Sequence, residues 1–170
     1  MTAPTMYLLT GLSFAGKSVL AREIARAKGA TIVDPDEVAR EQGLGLRGEF
    51  VSDEQWAVVH AEAERRARAL LRDNQCVVYD TTGYNKGQRD RLRCLATGVG
   101  ARVITIYVHI AKDLAVARWE RNNQTGERFR VHADDFMMVL NEYQPPGADE
   151  AFVTYASGET IDGWIARMLP

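Results

Sequence analysis

The chain has 170 residues, 46% of them hydrophobic and 26% charged, which is the balance of an ordinary globular protein long enough for one substantial core. Its net charge of −2 leaves no global basic field to recruit nucleic acid or an anionic membrane. Two cysteines, Cys76 and Cys94, make neither a disulfide framework nor a metal-ligand spacing, and no basic leader, spanning apolar run, repeat or long linker is present, so one domain over 1–170 in the cytoplasm is expected.

Taken in order, the first strand is predicted over 6–10. It runs into Gly11-Leu12-Ser13-Phe14-Ala15-Gly16-Lys17-Ser18, which is G-x-x-x-x-G-K-S. Such a strand, loop and helix opening places backbone N–H groups and a helix N-terminus where they bind phosphate oxygens. Gly11 and Gly16 permit conformations and close approach that a Cβ blocks. Lys17 supplies charge for the outer phosphates, and the Ser18 hydroxyl is a candidate Mg²⁺ ligand. A helix follows over 17–27, with Val19, Leu20, Ile24 and Ala27 as its apolar stripe, and Lys28-Gly29 ends it.

A second strand is predicted over 30–34, closed by Pro35, with Asp36 starting a short helical turn to Arg40. Residues 43–48 hold three glycines and read as a mobile connection. Ser52 to Gln55 is a capping box opening a long helix with Trp56, Val59, Ala63, Ala67 and Leu70 at helical spacing. Its interleaved acids and arginines read as a solvated face. The third strand, 76–80, is apolar up to Asp80, and a loop over 81–85 leads to a helix ending near Ala96. Residues 102–109 are the most strand-like stretch, as expected of a central buried strand. Asp113 opens a further helix, 122–130 reads as an exposed loop, Asp134 and Asp135 open a helix, and a last strand at 151–156 precedes a terminal helix.

Short strands alternating with helices imply an α/β fold with a parallel sheet and helices on both faces. Ligands of such sheets lie beyond the strand C-termini. That rim gathers the phosphate loop, Asp34 and Asp36, Asp80 to Thr82, and His109. Asp80 has the position of an acid that assists a metal. Asp36 is the leading candidate base, with Asp34 competing for the role and an N-cap the bland alternative. Arg40 either binds the acceptor or pairs with Glu37. Arg89 is balanced between a substrate contact and a structural ion pair. Arg118 and Arg121 share a helix face and, with Arg128 and Arg130, suit a lid over 112–131. No Ser/His/Asp spacing supports a nucleophilic hydrolase.

Four stretches, Gly11 to Ser18, Val33-Asp34-Pro35-Asp36 with Arg40, Val77 to Thr82 with Arg89, and Arg118 with Arg121, together resemble a branch of P-loop kinases. That branch includes polynucleotide 5′-kinases, zeta-toxin-type kinases and chloramphenicol phosphotransferase. The resemblance covers about residues 6–146. It implies a five-stranded parallel sheet with the phosphate-loop strand in the middle, and transfer of the γ-phosphoryl of ATP to a hydroxyl. It assigns Asp36 as general base, Asp80 to Mg²⁺, and Arg118 and Arg121 to the phosphates. Three positions depart from the pattern: Phe14 stands where many relatives have Gly, Gly83 replaces a frequent Asn, and Arg40 falls one place late.

The expected function is therefore an ATP- and Mg²⁺-dependent kinase acting on a small-molecule hydroxyl, such as a nucleoside, a sugar-containing metabolite or an antibiotic. Gly11, Ser13, Phe14, Ala15, Gly16, Lys17, Ser18, Val19, Arg118 and Arg121 would contact the nucleotide. Asp36, Lys17, Arg118 and Arg121 would carry catalysis, Ser18 and Asp80 the metal, and Asp36, Arg40, Thr82 and Arg89 the acceptor. One rival is a polynucleotide 5′-kinase, which calls for a basic groove near Arg40, Arg47 and Arg89. Another is a nucleotide-dependent switch that binds without transferring. No membrane partner is expected, and the sequence leaves the oligomeric state open.

Overall fold

The structure is a computed structural model that describes residues 3–46, 49–128, 130–156 and 158–170. Its strands are β1 (Thr5–Thr10), β2 (Thr31–Val33), β3 (Val77–Tyr79), β4 (Arg102–His109) and β5 (Val153–Ala156). Its helices are α1 (Lys17–Lys28), α2 (Pro35–Glu41), α3 (Asp53–Arg72), α4 (Lys86–Thr97), α5 (Lys112–Thr125), α6 (Ala133–Glu142) and α7 (Ile161–Met168). The strands form one five-stranded sheet in the order β2-β3-β1-β4-β5, and every pairing is parallel. The phosphate-loop strand β1 lies in the middle, as the resemblance implies.

β1 explains the layering. All six of its residues are buried, and period-2 alternation sends them to opposite faces. Tyr7 and Leu9 join a core with Leu20 and Ile24 of α1, Phe136 and Leu140 of α6, and Trp164 of α7. Met6 and Leu8 join the other core, with Val38 of α2, Val59, Ala63, Ala67 and Leu71 of α3, and Leu92 and Leu95 of α4. The outer face of α3 is laced with ion pairs, Glu62 holding both Arg65 and Arg66, as expected of a solvated surface. No helix among the described residues is long and apolar enough to cross a membrane.

The α2 boundary departs from expectation. Pro35 is the first helical residue and Asp34 is the cap, its carboxylate accepting the Asp36 N–H at 2.8 Å. Proline suits the first helical position because it lacks an N–H that would have no partner there. The capping alternative therefore belongs to Asp34, and the Asp36 carboxylate is left out of it. The predicted loop over 122–130 is also corrected: α5 continues to Thr125, and Asn122 is buried. Its side-chain amide accepts from the Arg128 N–H at 2.8 Å and donates to the Arg128 carbonyl at 3.3 Å, which closes the turn after the helix.

Candidate functional site

The loop between β1 and α1 turns on two glycines with different duties. Gly11 has φ 152°, and a Cβ there would sit 2.5 Å from the Val108 carbonyl oxygen of β4, so the strand–loop junction has no room for a side chain. Gly16 has φ 96° and open space where a Cβ would be. It caps α1 in a left-handed conformation with no side-chain cap bond. Within the loop, Ala15 N–H donates to Leu12, and Val19 N–H to Gly16. Among the described residues, the N–H groups of Ser13, Phe14, Gly16, Lys17 and Ser18 donate to no protein acceptor. Unpaired donors at a helix N-terminus form an anion cradle.

Phe14 occupies the cradle at φ 64°, a left-handed conformation that costs a non-glycine residue about 1–2 kcal/mol. Its ring meets Phe136 of α6 edge-on, with centroids 5.9 Å apart. Phe136 in turn stacks on Trp119 of α5 at 4.7 Å. The ring thus ties the loop to both helices that follow β4. On the same side, an Arg118 Nη1 donates to the Phe14 carbonyl at 3.0 Å. Arg121 is not brought to the loop; it is exposed, with its nearest acid, Glu127, at 3.8 Å.

Lys17 is nearly buried and folds back over the loop, with Nζ donating to the Gly11 and Leu12 carbonyls at 2.9 and 2.8 Å. Burial lowers its pKa, while Asp80, then Asp36, then Asp34 oppose the shift. These three carboxylates are therefore close enough to act on the lysine, Asp34 just past β2, Asp36 in the first turn of α2 and Asp80 just past β3. Desolvation and then Asp80 push the Asp36 carboxyl upward, against Lys17 and Arg40. Asp36 as a residue is exposed on the rim. Asp34 is raised as well, first by desolvation, then by Asp36 and Asp80.

Ser18 and Asp80 border one cleft and supply hard oxygen donors of the kind Mg²⁺ takes. Among the described residues no group of three or more His, Cys, Asp or Glu is arranged to hold a metal ion by itself. A nucleotide-borne Mg²⁺, which keeps waters and phosphate oxygens and asks the protein for one or two ligands, fits this donor set.

The remaining site residues divide. Arg40 pairs with Glu37 at 2.5 Å and lies 3.8 Å from Asp34, so it joins the acid cluster instead of standing open. Thr82 contributes through its backbone: its carbonyl accepts from Gly11 N–H at 3.0 Å and Thr10 Oγ1 at 2.9 Å. Arg89 is corrected from an acceptor contact to a structural ion pair. It is 1% exposed, its Nε and Nη2 grip the Glu150 carboxylate, and its Nη1 donates to the Gly83 and Gln144 carbonyls. Glu150, which the sequence reading did not single out, also binds Arg93 at 2.5 Å. Gly83 fits because its φ is +56° and a Cβ would lie 2.8 Å from Thr10 Oγ1. The basic groove required of a polynucleotide kinase does not form from Arg40 and Arg89, and Arg47 lies outside the described residues. His109 ends β4 exposed, with Nδ1 3.0 Å from the Tyr107 hydroxyl.

Several solved structures share this fold. A protein from Chloroflexus aurantiacus aligns at TM-score 0.79 and 17% identity over 99% of this chain and 100% of that one. A gluconokinase from Sinorhizobium meliloti aligns at 0.67 and 18% over 98% and 90%. The Mycobacterium tuberculosis APS kinase CysC, in complex with AMPPNP and APS, aligns at 0.69 and 18% over 96% and 94%. No curated protein matches the sequence. The likeness to these structures is one of fold, a five-stranded parallel sheet flanked by helices. The sequence model of the family AAA_33, described as an AAA domain, matches residues 6–146, and the chain belongs to that family.

Proposed function

We propose that the chain is an ATP-dependent phosphotransferase that moves the γ-phosphoryl group to a hydroxyl of a small molecule. The observation that carries this reading is the convergence of Asp36, Asp80 and Lys17 beside a loop whose N–H groups lack protein acceptors. A nucleotide-binding switch needs the cradle and a metal ligand. It has no need of a second, solvent-facing carboxylate outside the cap, and Asp36 is one.

In this mechanism the loop N–H groups and Lys17 hold the β- and γ-phosphates, the lysine exchanging its two carbonyl partners for phosphate oxygens. Ser18 and Asp80 would hold Mg²⁺, which neutralises charge on the β- and γ-phosphates when bound. Asp36 orients the acceptor hydroxyl and takes its proton as the acceptor oxygen bonds to the γ-phosphorus. The bond to the β–γ bridging oxygen breaks, and ADP leaves with that electron pair. Arg118 leaves the Phe14 carbonyl and, with Arg121, closes over the transferring group, so that residues 112–131 act as a lid. The fold's relatives, a gluconokinase and an APS kinase among them, support small acceptors.

The test is an ATP-consumption screen over nucleosides, sugars, antibiotics and 5′-hydroxyl oligonucleotides. Acceptor-dependent ADP release with a small molecule is the expected result. Turnover with oligonucleotides alone would transfer the assignment to a polynucleotide kinase, and tight ATP binding without acceptor-dependent release would leave a switch.

A further inference from the structure

A cleft of about 430 Å³ opens at the sheet edge next to the phosphate loop. Ser18, Asp34 and Asp80 line its phosphate-loop side, the inner end, where both acids act on the neighbouring Lys17, and Arg22 lines it one turn further along α1, with Thr31 and Leu70 also in the lining. Ala21, Ile32 and Val33 add an apolar floor. Ile32 is a large hydrophobic residue left 37% exposed on the edge strand β2, so this floor lacks a cover from the fold itself.

The charges along the cleft are unevenly satisfied. Arg66 is held by Glu41 at 2.6 Å and Glu62 at 2.8 Å, and Glu37 by Arg40. Arg22 is exposed and, among the described residues, has no hydrogen bond or ion pair. The cleft therefore has an unpaired cation at one end and two carboxylates, Asp34 and Asp80, at the other. A molecule with an anionic end is oriented by that polarity: its charge is drawn to Arg22 and repelled from the inner end, where a hydroxyl is welcome as a donor to carboxylate oxygens.

Resting on the phosphotransferase reading above, we propose that this cleft receives the acceptor, and that the acceptor is a small hydroxylated oxyanion anchored by Arg22. Arg22 follows Ser18 by one turn of α1, an axial rise of about 6 Å. A short carbon chain over Ala21, Ile32 and Val33 accordingly separates the transferable hydroxyl from the anionic group. Arginine grips a carboxylate or a phosphate monoester through the same forked donors, so both chemistries are compatible with the anchor. The volume falls in the range of small-metabolite sites. In the transfer step the acceptor oxygen bonds to the γ-phosphorus, its proton goes to Asp36, and ADP departs with the electron pair of the broken bond to the bridging oxygen.

The experiment uses the full chain with Mg²⁺ and AMP-PNP, and ligand-observed NMR with three probe sets of graded length: ω-hydroxycarboxylates, ω-hydroxyalkyl phosphates and neutral diols. Anionic probes of intermediate length are expected to bind, diols of the same length at least about tenfold more weakly. Arg22→Gln should weaken the anionic probes by roughly tenfold, and Arg22→Lys by less, with AMP-PNP affinity unchanged in both. The better anionic set identifies the oxyanion. The inference is overturned if diols match the anions, if Arg22→Gln leaves anion affinity intact, or if no anionic probe binds. A small acceptor found in the ATP screen whose KM ignores Arg22→Gln also overturns it while leaving the kinase reading standing. Arg22-dependent binding with no transfer to any acceptor keeps the cleft and removes the kinase reading.

Discussion

The Phe14 and Phe136 rings meet edge-on, with centroids 5.9 Å apart and planes 75° apart, across the junction of the phosphate loop and α6. The loop backbone is held left-handed at Phe14, φ 64°, at a position where glycine carries no penalty. Two opposing terms meet in one residue: backbone strain of about 1–2 kcal/mol, and a ring contact worth about 0.5–1.5 kcal/mol beyond the apolar area it covers.

The ordering of two variants separates those terms. Phe14→Ala loses the ring and keeps a Cβ at positive φ, whereas Phe14→Gly loses the ring and the strain together. Thermal unfolding should therefore rank wild type above Phe14→Gly and Phe14→Gly above Phe14→Ala, the two variants differing by about 1 kcal/mol, or roughly 2–4 °C for a chain of this size. Equal melting temperatures for the two variants would show that the left-handed backbone carries no cost here.

The Arg89–Glu150 pair gives a second test. Both side chains are at most 2% exposed, at 2.6 Å from each other, and the guanidinium also fastens the Gly83 and Gln144 carbonyls. Removing Arg89 leaves Glu150 with Arg93 as its remaining cation and takes the Arg89 donors from the Gly83 and Gln144 carbonyls, so Arg89→Leu should cost about 3 kcal/mol, while the double variant Arg89→Leu with Glu150→Leu should recover part of that loss. The Arg89 hydrogen bonds hold the Glu150 carboxyl down to about 2. With a depressed native pKa, the stabilisation is fully present above about pH 4.3 and disappears as pH falls toward 2. Denaturant midpoints measured from pH 5 to pH 2 should show a wild-type decline that is shallower in Arg89→Leu, the remainder coming from groups such as Glu62 that the variant leaves paired.

Sequence patterning carried most of the architecture because its signals are local. The Gly11–Ser18 loop, the Ser52–Gln55 capping box and the apolar run ending at Asp80 each depend on neighbours in the chain, and each lies in the predicted element. The partners of Arg89 are not local. Glu150 lies 61 residues away, and nothing in its flanking sequence marks it as a buried carboxylate. The same limit applies to Arg40, whose competing partners could be named but not ranked from sequence. The capping role of Asp34 was within reach of local rules: Asp followed by Pro is a cap followed by a first helical residue. Starting the turn at Asp36 placed the helix one residue late.

Asp34 supplies a prediction of the opposite pH sense. Desolvation, then Asp36 and Asp80, push its carboxyl up to about 7. The native state then retains a proton that the unfolded chain releases near pH 3.9, so this group's contribution to stability falls as pH rises from about 4 to about 7. Asp34→Asn keeps a side-chain oxygen to accept the Asp36 N–H and removes the repulsion. Without nucleotide it should raise stability at pH 8 by about 1–2 kcal/mol and change it little at pH 4, where both forms are neutral. A loss of stability at pH 8, or an equal gain at both pH values, would show that the three carboxylates do not repel one another as the fold places them.

The division of labour between the two aspartates is tested by turnover. Asp36 faces the rim outside the α2 cap, while Asp34 spends one oxygen on that cap. Asp36→Asn should keep affinity for a fluorescent ATP analogue and lower acceptor-dependent kcat by about 10²–10⁴, the range of a lost general base. Because desolvation and Asp80 raise the Asp36 carboxyl, the acidic limb of the wild-type kcat/KM profile should fall above the usual aspartate range. Asp34→Asn should retain that limb, since it leaves the Asp36 carboxyl in place, with a midpoint shifted downward by loss of a neighbouring negative charge. A wild-type rate in Asp36→Asn, together with collapse in Asp34→Asn, would move the base to the cap residue and with it the face on which the acceptor hydroxyl approaches.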